Sequence, residues 1–400
     1  MRIVIIGAGV AGCVMARKLS VLAGVEVICL ERVTRDDHSE AGTGLNVGPN
    51  AVKALSLADP ELADAITQAS FPWATWRISL TDGAELFNLK LRDVAGGPGW
   101  RIRWSELYRV LRDAAGSSVQ YACEISDIGR DASHPRKTTI AWTQDGNTQR
   151  IDGIDLLIAA DGRYSRVRRV MSGEPPIRQT GVAISRVLVP DTSDGLIDDY
   201  EQWFNGPNRL LAFRVPPGHI YIACAFPISP GADIPPHMKT PDALRAAYTP
   251  ANAAPSAQAA WMIEQVCANV ADTHWARMQE HDALYHAADC NVLYLGDAAH
   301  GMVPTLGQGA TQAIEDAAVA ASLIAQRHAR GQLDVASWLK DIAALREQRM
   351  RFVMELSLAA TDTMLDGADP VEGTRHKTEA PFIDALKALY NDVGLPLKSD

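Results

Sequence analysis

The sequence predicts an α/β protein of two lobes, a parallel-sheet lobe interrupted by a second lobe built on a mostly antiparallel sheet. Three observations predict it. The chain opens with MRIVIIGAGVAGCVMARKLSVLAGVEVICLER, which reads as buried strand, glycine turn, helix and second strand. Two later apolar strands, in IDLLIAADGRYSRVRRV and NVLYLGDAAHG, also end in an acid beside a glycine. Between them lie TGVAISRVLV, YEQWFNG, NRLLAFRVPPG and HIYIACAFP, apolar or alternating runs separated by Pro/Gly breaks. At 400 residues the chain exceeds one compact core.

The opening unit is a βαβ of the Rossmann type. Its first strand runs from Arg2 to Ile6, its helix to about residue 23 with Gly24 as the stop, and its second strand ends in Glu31 followed by Arg32. Gly7 permits the tight turn, Gly9 lets a pyrophosphate approach the backbone, and Gly12 lets the helix pack closely on the strand. Glu31 stands where an acid accepts hydrogen bonds from a ribose diol. The second unit places Asp161 and Gly162 at a strand end before a helix carrying Ser165 and Arg168, and the third places Asp297 likewise. Carboxyl ends of strands are where open α/β sheets bind ligands. The third unit continues into GMVPTLGQGATQAIEDA, where Gly307 and Gly309 leave room for a flat ring against the backbone. A helix from about Gln308 to Arg330 aims its free N–H groups at that ring, and RHARG ends it with cations and a glycine. Residues 236–266 read as broken helices and the last stretch of the chain as polar helices.

Composition excludes other classes. A net charge of −10 and the lack of a long basic run argue against nucleic acid as a partner. The six cysteines form no CxxC pair and read as reduced, buried thiols in a cytoplasmic protein with no metal site. No run reaches the roughly 20 apolar residues of a membrane span, so no membrane partner is expected.

As a set, GAGVAG, DGRYSRVR and GDAAHGMVPTLGQG resemble the class A flavoprotein monooxygenases, the para-hydroxybenzoate hydroxylase-like family that includes salicylate, hydroxypyridine, hydroxynicotinate and urate hydroxylases. The resemblance runs from Met1 to about Arg351, including LREQRMR, which is similar to the family's arginine-rich helix. It implies tightly bound FAD, NADH or NADPH as transient co-substrate, and O2. By the same resemblance the first motif holds the ADP half of FAD, the second touches FAD and the nicotinamide nucleotide, and Asp297 binds the ribityl chain. Pro304, Gly307, Gln308, Gly309 and Ala310 belong to the flavin loop. Gly44, within AGTGLNVGPNAVKAL, falls in a glycine-rich stretch near the flavin. One departure is RIRWSELYRVL: the family's FAD-contacting arginine is here Trp104, with Arg103 beside it. The resemblance also implies a flavin C4a-hydroperoxide that passes oxygen to an electron-rich ring. An FAD-binding domain is expected over 1–70, 100–175 and 280–345, a substrate-binding domain over 71–99 and 176–279, and C-terminal helices over 346–400.

The expected substrate is a small hydroxylated aromatic or N-heteroaromatic acid, and the expected protein a monomer or homodimer. A base near the ring would come from His300, His219 or Tyr221. His300 also fits a loop-supporting role, His219 a solvated turn, and Tyr221 the wall of the pocket over the flavin. By the resemblance Pro304, in the flavin loop, is also a catalytic candidate. Arg186 and Arg214 interrupt apolar runs and are the candidate forks for a substrate carboxylate; Trp203 and Phe213 are candidate pocket linings or core. Two alternatives stay open: an epoxidase or tailoring oxygenase for an isoprenoid or polyketide, and a flavin-binding redox protein that does not hydroxylate.

Overall fold

The structure, a computed structural model, describes residues 1–37 and 43–395. A five-stranded parallel sheet runs in the order Val292–Tyr294, Leu156–Ala159, Arg2–Ile6, Glu26–Leu30 and Val119–Gln120. Its central strands are buried on both faces, which explains why they read as continuous apolar runs without alternation. The helices Val10–Leu19, Trp104–Ala115 and Gln308–Ala329 cover one side and share a core with Ile3, Ile5, Leu156 and Ile158. The first helix is shorter than its sequence suggests. It stops at Leu19, and the chain turns over 20–24 before the next strand, with Gly24 at φ +73°.

The second large sheet has seven strands, ordered His274–His281, Ile177–Pro190, His219–Pro227, Asn208–Val215, Tyr200–Asn205, Thr75–Leu80 and Glu85–Lys90. All its pairings are antiparallel except the one between Tyr200–Asn205 and Thr75–Leu80. Alternation gives it two different faces. On the outer face Val187, Val189, Trp203, Leu210, Ala212, Ile220 and Ile222 pack under the helices Pro241–Tyr248 and Ala257–Ala268. The inner face carries Ile184, Leu211, Phe213, Ala223 and Ala225, which join the main core.

The C-terminal helices Val335–Ala359, Pro370–Lys377 and Ala380–Asn391 are less polar in effect than in sequence. Leu386, Leu389 and Tyr390 are fully buried, Phe382 lies 6.2 Å from the Trp76 ring and Tyr390 meets Trp73 edge-on at 6.3 Å. Each leucine so buried contributes on the order of 1.5–3 kcal/mol, which fixes this segment against the inner side of the seven-stranded sheet. A three-stranded sheet of Gly44–Val47, Gly99–Arg103 and Phe71–Trp73 lies between the two large sheets' territories and connects them.

Candidate active site

The glycine turn has the shape of a cradle. A Cβ on Gly7 would lie 2.4 Å from the Ala160 carbonyl oxygen and one on Gly12 1.8 Å from that of Gly7, so both glycines are required by packing. Gly9 meets nothing within 4 Å, so its open space faces away from the protein. At the neighbouring strand end the Glu31 carboxylate accepts the Ala8 N–H at 2.6 Å and the Val33 N–H at 3.1 Å, while Arg32 is exposed. Arg112, which the sequence reading passed over, is buried with its Nε 3.5 Å from the Ala8 carbonyl and its guanidinium over the rings of Tyr108 and Tyr121. Its place on the apolar face of an amphipathic helix, beside Leu107 and Leu111, was the available signal.

Across the cleft stands Asp297, in the turn after the edge strand of the parallel sheet. Its carboxylate makes no hydrogen bond to any described residue and lies 3.9 Å from where a Gly309 Cβ would be. Burial raises the Tyr108 phenol's pKa above the ordinary range, with the Glu31 and Asp297 carboxylates pushing the same way against Arg112. Gly307 takes φ +65° and, with Gly309 and Ala310, is half-exposed at the start of the Gln308–Ala329 helix, leaving that helix's first N–H groups open to the cleft. Pro304 is exposed at the head of the loop. Gln308 is turned inward, accepting from Asn50 at 3.1 Å and Gln312 at 2.9 Å. An open glycine turn, two acceptor carboxylates and a helix N-terminus fit a dinucleotide carrying a flat ring.

The second motif is held differently. Asp161 accepts from Ser165 Oγ at 2.6 Å and the Val167 N–H at 3.1 Å, tying down the start of the Arg166–Ser172 helix, and burial pushes its carboxyl up. Gly162, at φ +78°, has open space where a Cβ would stand.

The strand Gly44–Val47 joins the cleft to the inner face of the large sheet. A Cβ on Gly44 would meet the Tyr221 Cβ at 2.8 Å, and the Asn46 amide stands 2.5 Å from where a Gly307 Cβ would be. Gly44 therefore serves close packing on Tyr221, and the first two residues of its glycine-rich stretch, 41–42, lie outside the described residues. Tyr221, Arg186, Arg209 and Phe213 share the inner face by cross-strand register. The Tyr221 ring lies 5.0 Å from Phe213, its hydroxyl has no described partner, and burial pushes its pKa up to about 12 against the opposing pull of Arg186 and Arg209. Arg209 is 4% exposed, with no hydrogen bond and no carboxylate partner among the described residues; its Nε is buried and unsatisfied. Arg186 Nε is also unsatisfied, and its Nη2 lies 3.4 Å from His274 Nδ1. Asn46 Nδ2, Arg103 Nε and Trp76 Nε1 are further unpartnered donors nearby.

Three of the candidates lie off that face, Trp203 and His219 in the core and turn positions that are their alternative readings. Arg214, one residue from Phe213, points to the opposite side by alternation, 2.8 Å from Asp191 and over the Phe71 ring, so it is not brought to the inner face. The same alternation puts Trp203 in the outer core. His219 sits at the turn, its Nδ1 2.5 Å from the Pro217 carbonyl. Counting back by twos from Phe213 through Leu211 reaches Arg209, the signal that locates the missed arginine.

His300 is fully buried beneath the loop, with Nε2 2.6 Å from Asp316 Oδ2 and Nδ1 unpartnered. Asp316 also accepts from the Gly296 N–H, Tyr285 Oη and Arg346 Nε. Burial alone would raise its pKa, but His300 and Arg346 outweigh burial and hold it well below the carboxylate range. Arg346 and Arg349, from LREQRMR, also pair with buried Glu315. The network therefore fastens the Asp297 turn to the helix behind it.

A family model described as an FAD binding domain matches residues 1–336. The chain belongs to that family. It is a flavoprotein of the FAD-dependent monooxygenase class. It is 28% identical over 336 residues to 2-heptyl-3-hydroxy-4(1H)-quinolone synthase of Pseudomonas aeruginosa, covering 81% of this chain and 80% of that protein. It is 29% identical over 371 residues to a 3-amino-4-hydroxybenzoate 2-monooxygenase of Streptomyces platensis, covering 88% and 85%. The fold matches that of Klebsiella pneumoniae HpxO, crystallised with FAD and uric acid, with a TM-score of 0.80 at 23% identity over 99% of this chain and 98% of that one.

Proposed function

We propose that the protein hydroxylates a small hydroxylated aromatic or N-heteroaromatic acid, using NADH or NADPH and O2. The observation that carries this reading is Arg209: a buried guanidinium without a partner, beside an unpartnered Tyr221 hydroxyl, on a sheet face joined to the flavin loop by the strand Gly44–Val47. Leaving a buried charge unpaired is costly, so the arrangement suits a ligand that brings the missing anion. A substrate carboxylate or ring oxyanion is such a group, and Arg186 offers a second cation on the same face.

Bound FAD, held by the glycine turn, Glu31, Asp297 and the loop from Pro304 to Ala310, supplies the oxygen activation. Arg209 fixes the acid. With its pKa near 12, Tyr221 keeps its proton at neutral pH and donates a hydrogen bond to the ring oxygen, favouring the electron-rich oxyanion. The rings of Tyr221, Phe213, Tyr200 and Trp76 form a dry wall, consecutive members lying 5.0, 5.8 and 6.4 Å apart. A cationic anchor in such a wall favours a compact acid over a neutral isoprenoid. No helix among the described residues is long and apolar enough to cross a membrane.

The test is NADH and NADPH oxidation with a panel of hydroxybenzoates, hydroxypyridines, hydroxynicotinates, hydroxypicolinates and urate, with product mass recorded. One compound is expected to accelerate oxidation and gain the mass of an oxygen atom. An FAD-loaded protein that no member stimulates would sink the reading.

A further inference from the structure

The short strand Gly44–Val47 has two faces. Leu45 and Val47 pack into the core of the parallel lobe, so alternation turns Gly44 and Asn46 to the other side. Gly44 is pressed against the large sheet, where its Cβ position is 2.8 Å from the Tyr221 Cβ and 3.1 Å from a Val215 methyl. Asn46, two residues on, is pressed against the flavin loop: its Nδ2 lies 2.5 Å and its Oδ1 3.1 Å from where a Gly307 Cβ would be. Its side chain therefore stands between the wall that carries Tyr221 and the turn that opens the Gln308–Ala329 helix.

Asn46 Nδ2 is buried and donates to no described residue. The neighbouring carboxamides behave otherwise. Asn50 Nδ2 donates to Gln308 Oε1 at 3.1 Å and Glu315 Oε2 at 2.9 Å, and Gln312 Nε2 reaches the same two oxygens at 2.9 and 3.1 Å. Gln308 Nε2 donates to the Leu306 carbonyl at 3.4 Å. Of these four, Asn46 alone has no acceptor among the described residues. A buried N–H without an acceptor is costly, and the turn it touches is the one that receives the flat ring of FAD.

We propose that Asn46 contacts the cofactor, its amide donating to the carbonyl-bearing edge of the flavin ring and favouring the reduced, anionic state over the oxidised one. A hydrogen bond to an ionised acceptor is roughly twice as strong as one to a neutral acceptor. A fixed donor at this turn, beside the free N–H groups of the helix, therefore stabilises the state in which charge collects at that edge. The inference rests on bound FAD and not on the identity of the substrate.

The experiment measures the two-electron reduction potential of the FAD-loaded protein against a reference dye, without substrate, in the wild type, Asn46→Leu and Asn46→Asp. Asn46→Leu keeps the shape and removes the donor. At a fixed potential its ratio of reduced to oxidised flavin falls by about tenfold, a drop of about 30 mV. By linkage its affinity for reduced FAD falls by the same factor while that for oxidised FAD stays within about threefold. The FAD-free protein melts at the wild-type temperature or above it, since an unpaired donor has been replaced by an apolar group. Asn46→Asp, which places a carboxylate at the same edge, lowers the potential further and reads the same contact should the leucine variant fail to fold. Potentials that stay at the wild-type value in both variants would overturn the proposal. So would an FAD-free Asn46→Leu protein that melts early while its potential is unmoved, which marks a structural amide. Weaker binding of the aromatic acid with an unmoved potential assigns the amide to the substrate and overturns it likewise. Failure here leaves turnover of an aromatic acid intact, and failure of the aromatic panel leaves the shift in potential intact, so the two readings fall separately.

Discussion

Replacing Arg209 by methionine removes a guanidinium that is 4% exposed and has no partner among the described residues, while filling nearly the same volume with an apolar chain. Two effects of opposite sign follow. A charge-assisted hydrogen bond to a buried anion is worth about 1.5–3 kcal/mol, so binding of the acid substrate weakens by roughly 10- to 150-fold. Removing an unpaired buried charge in favour of a packed hydrophobe is neutral or stabilising, by up to about 1–4 kcal/mol, so the melting temperature holds or rises. The assay pairs substrate titration, read from flavin absorbance, with thermal unfolding of the FAD-loaded protein. Weaker binding together with equal or greater stability marks a residue kept for its ligand. Unchanged affinity for the acid, or a large fall in stability, refutes the reasoning, since the arginine would then be serving the fold.

Further outcomes follow from the same geometry. Gly9→Ala meets no protein atom within 4 Å, so the FAD-free protein unfolds as the wild type does while FAD affinity falls by about tenfold or more; Gly12→Ala, 1.8 Å from the Gly7 carbonyl, destabilises the FAD-free protein too, and urea melts with and without FAD separate the two. Tyr221→Phe lowers kcat by about 10²-fold or more, and the shape of the rate profile between pH 6 and 9 survives because a hydroxyl titrating near 12 contributes no limb there; a limb lost in the variant would contradict this. Asp316 has a depressed native pKa, so its contribution to stability is present above the unfolded value of about 4 and lost as pH falls below it. Asp316→Asn therefore costs about 3–5 kcal/mol at pH 7 and removes part of the acid-induced loss, as urea melts at pH 7 and at about pH 2.5 show.

Much of the parallel lobe was legible because its signals are local. Gly7, Gly12 and the long helix from Gln308 each announce themselves within a few residues of the strand they follow. The inner face of the large sheet was harder, since its function depends on which side of a strand a residue takes. Arg214 interrupts an apolar run as plainly as any residue in the chain, yet alternation sends it to Asp191, while Arg209, at the strand's polar start, shares the inner face with Phe213 and Tyr221. The network around Asp316 was not visible because its members come from Tyr285, His300, Asp316 and Arg346, separated along the chain and joined only by packing. The C-terminal helices read as polar because Leu386, Leu389 and Tyr390 form a narrow stripe that matters only once Trp73 and Trp76 stand opposite it.

The central claim is that oxygen from O2 enters an aromatic acid held by Arg209. Turnover under isotopically labelled dioxygen, with the panel compound that most stimulates NAD(P)H oxidation, tests it most directly by product mass spectrometry. One labelled oxygen atom is expected in the product. An unlabelled ring, with all the label in hydrogen peroxide or water, would contradict it.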